Sequence, residues 1–111
     1  MSVVNLEEIK EIMDNDMELI QECFADFLIE YPDLIGGIKT AIDSKEADDI
    51  DNAAHKLKGT LRYLAAESAA SAAQIIETAG RQHDLDNLDE KLSTLEAECQ
   101  KVILFIDEFA P

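Results

Sequence analysis

The chain has 111 residues, 47% of them hydrophobic, only 5% aromatic and none tryptophan, which fits one domain spanning residues 1–111 around a modest core of leucine, isoleucine and alanine. Its 25 acidic and 9 basic side chains give a net charge of −16, and a surface that acidic repels nucleic acid and anionic membrane. Two prolines and four glycines are too little punctuation for a many-stranded sheet. The opening Met-Ser-Val-Val-Asn-Leu-Glu-Glu lacks the basic region and apolar run of a signal peptide or membrane span, so the expected compartment is the cytoplasm. Cys23 and Cys99 fall on or beside apolar seams and read as small buried residues rather than a disulfide.

In chain order, Asn5 with Glu8 three residues on resembles a capping box and starts a short helix from Leu6 to about Met13. Asn15 can end it in the left-handed conformation, and Asp16 can cap the next helix. So short a helix serves to close one end of a bundle. The second helix carries Met17, Ile20, Phe24, Phe27, Tyr31, Leu34, Ile38 and Ala41 in steps of three and four. Pro32 and the Gly36-Gly37 pair interrupt it chemically, yet the apolar phase runs through them. One kinked helix, or two nearly coaxial ones, is expected there.

Asp43 to Glu46 turns the chain, with Ser44 as N-cap of a central helix running from about Lys45 to Leu64 or Ala65. A fourth helix follows from Ala66 to about Ala79, its small residues permitting close approach, with Gly80 as terminator. Arg81 to Asp84 forms a polar turn containing His83. The last helix, capped by Asp84 or Asp86, repeats Leu85, Leu88, Leu92, Leu95, Cys99, Val102, Ile106 and Phe109. Matching seams and short loops predict an all-α, antiparallel up-down four-helix bundle with a short additional N-terminal helix, as a monomer.

The central helix holds the chemistry. Its seam is Ala47, Ile50, Ala54, Leu57, Leu61 and Leu64, which puts His55 on the wet flank. Lys58 and Gly59, three and four residues on, are its neighbours on that surface. Glycine inside a helix costs about 1 kcal/mol against alanine, and at Gly59 its use is access, since another protein can press onto the ring. No acid lies between Asp51 and Glu67, whereas Lys56, Lys58 and Arg62 fall within seven residues of one another. An exposed imidazole, a local cationic island and a cleared approach point to phosphoryl transfer.

The stretch His55-Lys56-Leu57-Lys58-Gly59 resembles the His-x-x-Lys-Gly signature of histidine-containing phosphotransfer (HPt) domains, and the likeness extends to the preceding Ala53-Ala54, to Thr60 and to the flanking helices. The resemblance implies a phosphorelay intermediate. A receiver domain's phospho-aspartate gives its phosphoryl group to His55, which passes it to another receiver. Lys58 stabilises phosphate oxygens, Gly59 gives the partner access, and Arg62 is a further phosphate contact. The implied partners are response-regulator receiver domains or a hybrid histidine kinase, and the partner receiver supplies magnesium. One departure, Ala65 where the family often has glycine, bears on the end of the central helix.

Other chemistries lack their residues. A carboxylate-bridged metal site needs Glu-x-x-His, but Asn52 precedes His55 and Gly80 precedes His83 at that spacing. No phosphate-cradling glycine loop is present, so the chain reads as a stoichiometric carrier with no ATP site, cofactor or metal of its own. His83 reads as a turn residue. The alternative function is a non-phosphorylated helical adaptor for a receiver or kinase, against which the intact His55 and Lys58 argue. The Met1 start and Phe-Ala-Pro end lead one to expect a freestanding chain.

Overall fold

A computed structural model of the chain describes residues 3–109, so Met1, Ala110 and Pro111, on which the freestanding expectation rests, lie outside the described residues. The described residues form five helices and no strand: α1 Leu6–Ile12, α2 Met17–Ser44, α3 Ala47–Tyr63, α4 Glu67–Arg81 and α5 Leu88–Glu108. The first two starts follow their caps. The Glu8 N–H donates to Asn5 Oδ1 at 3.2 Å, and the Leu19 N–H donates to Asp16 Oδ1 at 3.1 Å. Between them Asn15 takes the expected left-handed turn, with φ 60°.

Pro32 lies inside a single unbroken α2 of 28 residues. Phe24, Phe27, Ile35 and Ile38 are all buried, so the apolar stripe runs through the proline as its phase requires. At 1.5 Å per residue such a helix is about 42 Å long, the full 42 Å length of the molecule.

The helix ends correct several expectations, and for one reason. Lys45, Ala65 and His83 have φ of 56° each, and the residue after each donates back to a carbonyl five positions earlier. These bonds are Glu46 N–H to Ala41 O (3.3 Å), Ala66 N–H to Leu61 O (2.9 Å) and Asp84 N–H to Ala79 O (2.9 Å). This closure satisfies the last carbonyls of a helix and is usually built on glycine. Here lysine, alanine and histidine serve. Ser44 therefore closes α2 rather than capping α3, whose N-cap is Glu46 without a side-chain bond. Gly80 does not terminate α4, which continues to Arg81. Asp84 and Asp86 do not cap α5 either: the Asp86 N–H donates to Asp84 Oδ1 at 3.1 Å, which shapes the turn, and Asn87 occupies the cap position. Leu85 lies in that turn, and Met17 at the start of α2; both are exposed rather than part of the seam.

Ala65 allows a quantitative expectation. The left-handed conformation costs a non-glycine residue about 1–2 kcal/mol, but its buried methyl recovers about 0.8 kcal/mol, and alanine loses less chain entropy than glycine on folding. Ala65→Gly should therefore leave the chemical-denaturation midpoint nearly unchanged. Ala65→Val, β-branched at positive φ, should lower stability by about 2 kcal/mol or more.

The helices pack in a cycle: α2 lies against α3 and α5, and α4 against α3 and α5, with the α3–α4 contact the most extensive. Phe24 of α2 meets Phe105 and Phe109 edge-on, with centroids 6.2 and 5.2 Å apart. The Asn5 N–H donates to Ala65 O at 3.0 Å, so the N-terminal segment is tied to the α3–α4 turn, with Val4, Ile9 and Met13 buried beside it. Both cysteines are free, Cys99 in the core and Cys23 half-buried. No helix among the described residues is long and apolar enough to cross a membrane.

Candidate functional site

Helix α3 sends Ala54, Leu57 and Leu61 into the core, each fully buried, and this fixes the rotation of the helix. His55 then emerges on the flank with its side chain 67% exposed. The ring is not free to turn. Its Nδ1 lies 2.5 Å from Oε2 of Glu77 on α4, and Oε1 of the same carboxylate receives Nζ of Lys58 at 2.5 Å. Lys58 also donates to Gln74 Oε1 at 3.1 Å, while Gln74 Nε2 donates to Thr78 Oγ1 at 3.2 Å. Arg81, one turn beyond Glu77, lies 3.5 Å from its Oε2 and 3.6 Å from Asp51 Oδ1.

Glu77 is 0% exposed, and an unpaired carboxylate there would be costly. Burial by itself pushes its carboxyl up. The hydrogen bonds and charges of Lys58 and His55 outweigh that burial and hold it below its usual range, so it is ionised at neutral pH. An ionised carboxylate only accepts, so the proton in the Nδ1 contact belongs to His55. In the neutral ring, Nε2 on the opposite edge then carries the lone pair, on the exposed side. The network thus fixes tautomer and ring orientation at once.

The four residues singled out from sequence separate into three situations. Lys58 is not on the wet flank: it is 8% exposed, with its ammonium held by Glu77 and Gln74 between α3 and α4. Gly59 is exposed, and a Cβ built on it meets nothing within 4 Å, so neither backbone conformation nor helix packing calls for glycine there. Arg62 is exposed two turns from His55 and makes no ion pair among the described residues, as is true of Lys56. His83 sits in its turn, exposed, with Nε2 3.9 Å from Asp48 Oδ1, and takes no part in the site.

Glu77 reaches α3 because α4 comes unusually close. Ala69, Ala70, Ala72 and Ala73 are buried along it. At Gly80 a Cβ would stand 2.6 Å from Asp51 N and 2.8 Å from Ala47 O, both backbone atoms of α3. Glycine is there for helix-to-helix approach.

Sequence reading missed Glu77 and Gln74. One signal was present: Glu77 shares its helical face with Ala73, Ile76 and Gly80, so an acid stands where the phase calls for an apolar residue. Such an acid needs a buried cation, and Lys58, flanking the α3 seam, is that cation.

A family model described as Hpt domain matches residues 22–103, from the first turns of α2 to within the last turns of α5. No curated protein and no solved structure matches the chain.

Proposed function

Because the chain belongs to the Hpt domain family, we propose that His55 is its phosphoryl acceptor, taking the group from a receiver domain's phospho-aspartate and passing it to a second receiver. The observation that carries this reading is the exposed ring whose Nδ1 is tied to a buried carboxylate. In the forward step the Nε2 lone pair attacks phosphorus, the N–P bond forms, and the acyl-phosphate O–P bond breaks with its electron pair leaving on the aspartate. The ring gains positive charge as this happens, and Glu77, fixed against the Nδ1–H, stabilises it without reorganising.

Lys58 keeps Glu77 ionised and adds a positive field beside the phosphoryl group; a direct phosphate contact would require its ammonium to leave Glu77. Gly59 clears the approach, and Arg62, exposed two turns from His55, meets the partner or a phosphate oxygen at the rim. Magnesium belongs to the receiver's acidic pocket. The domain acts as a stoichiometric carrier without an ATP site, and we read the cycle of helix contacts as an antiparallel up-down four-helix bundle in a monomeric, cytoplasmic protein.

The test mixes the chain with receiver domains charged with radiolabelled phosphate. Label should appear on the wild type and be absent from His55→Gln. Transfer that survives in His55→Gln would place the acceptor on another residue, whereas binding of receivers with no label on the wild type would favour the adaptor.

A further inference from the structure

Beside His55 the surface between α2 and α3 opens into a groove of about 380 Å³. Gly59 and Tyr63 form its α3 wall, Phe27 of α2 lies at its base, and Cys23, Asp26 and Glu30 line its α2 side. Asp26 and Glu30 are exposed and form no ion pair among the described residues. Apolar surface continues on both sides of them: Tyr63 is 51% exposed, and Ile29, one turn from Asp26, is 75% exposed. Because Gly59 belongs to this wall and also neighbours His55 one turn away, whatever covers the ring also covers the groove.

We propose that Asp26 and Glu30 select the receiver, admitting one whose docking face carries an apolar side chain flanked by lysine or arginine. The inference rests on the phosphorelay reading above, and it adds the charge of the partner. Unpaired rim carboxylates attract a cationic face and repel an acidic one, which acts mainly on encounter rate and on rejection of wrong partners. The groove's apolar base supplies the burial that holds the complex. The anionic field reaches into the groove: after burial, the charges of Asp26 and Glu22 push the Cys23 thiol up. Lys56 and Arg62 stand outside this lining, so attraction for the phosphoryl group and attraction for the docking face occupy different parts of the surface.

The experiment compares wild type, Asp26→Lys/Glu30→Lys and the milder Asp26→Asn/Glu30→Gln with two donors. Phosphoramidate transfers its phosphoryl group directly, its P–N bond breaking with ammonia leaving, and so reads His55 chemistry without docking. Receiver domains charged with acetyl phosphate read docking and chemistry together. The expected result is similar phosphoramidate labelling of all three proteins. Receiver transfer should fall about tenfold or more in kcat/KM for the lysine pair and less for the amide pair, and raised salt should slow wild type more than either variant. Lysine substitutions in the receiver's acidic or neutral docking positions should not help, whereas reversing its cationic ones to glutamate should rescue the lysine pair. Wild-type transfer rates in both variants would overturn the inference while leaving His55 as acceptor. Self-association of the wild type that is lost in the variants would make a second copy the occupant and also overturn it. Failure of phosphoramidate to label wild-type His55 would instead sink the phosphorelay reading.

Discussion

Glu77→Ala is expected to lower stability by about 3 kcal/mol, the lower end of the range for removing one member of a buried ion pair, because Lys58 keeps Gln74 as a partner. For a chain of this size that is a fall of very roughly 10–20 °C in Tm. The loss comes from two groups together. Lys58 keeps its buried stem but loses the carboxylate at 2.5 Å, and the His55 ring loses the contact that orients it. Glu77→Gln is the informative companion. It preserves volume and can still accept from Lys58, but its amide N–H₂ would face Nδ1 and force that nitrogen to accept. The proton then moves to Nε2, the atom proposed to attack. Transfer should slow about ten- to a hundredfold, corresponding to a charge-assisted hydrogen bond of roughly 1.5–3 kcal/mol, while the helical circular dichroism signal is kept.

The same residue predicts a pH dependence. A carboxyl whose folded-state pKa is depressed adds stability above its ordinary value, here 4.5, and loses it as pH falls through the lower folded value. The stability gap between wild type and Glu77→Gln should be constant from neutral pH to about 5 and close below 4.5, as measured by urea denaturation across that range. A gap that widens in acid would mean that Glu77 is protonated in the folded protein.

The second large effect contrasts two glycines that look alike in sequence. Gly80→Ala should destabilise by about 1–3 kcal/mol despite the helix propensity of alanine, because its Cβ meets α3 backbone at 2.6 and 2.8 Å and no flexible side chain can yield. The displacement would also draw Glu77, three residues earlier, away from His55 and slow transfer. Gly59→Ala should gain up to about 1 kcal/mol, since nothing lies within 4 Å of its Cβ. Gly59→Gln should fold equally well yet transfer poorly, because its side chain fills the space a partner needs beside His55. Thermal melting and transfer rates on the four proteins check this together. A stable Gly80→Ala with wild-type transfer, or a Gly59→Gln that transfers normally, would contradict the assignment of one glycine to packing and the other to access.

The contrast shows what the sequence could and could not disclose. Helix number, the α2 stripe through Pro32 and the exposure of His55 follow from apolar phase alone, because burial is what that phase encodes. Gly59 and Gly80 each lie inside a helix, and only what stands opposite each one, open space or the backbone of a neighbouring helix, separates their roles. Helix ends depart from expectation where Lys45 and His83 adopt φ of 56° without being glycine, since the backbone closure outweighs their local preference. Lys58 was read as exposed because it adjoins the seam without being apolar. Its burial depends on Glu77 from another helix, a pairing no local pattern records.

The central claim is that Glu77 leaves Nε2 of His55 as the atom that carries phosphate. Phosphorus and nitrogen NMR of the phosphorylated protein, held at alkaline pH to preserve phosphohistidine, distinguishes the two ring nitrogens directly. The account predicts a single phosphohistidine at residue 55, with the N–P bond at Nε2 and the proton retained on Nδ1. Phosphate bonded to Nδ1 of His55, or found on His83, would contradict it.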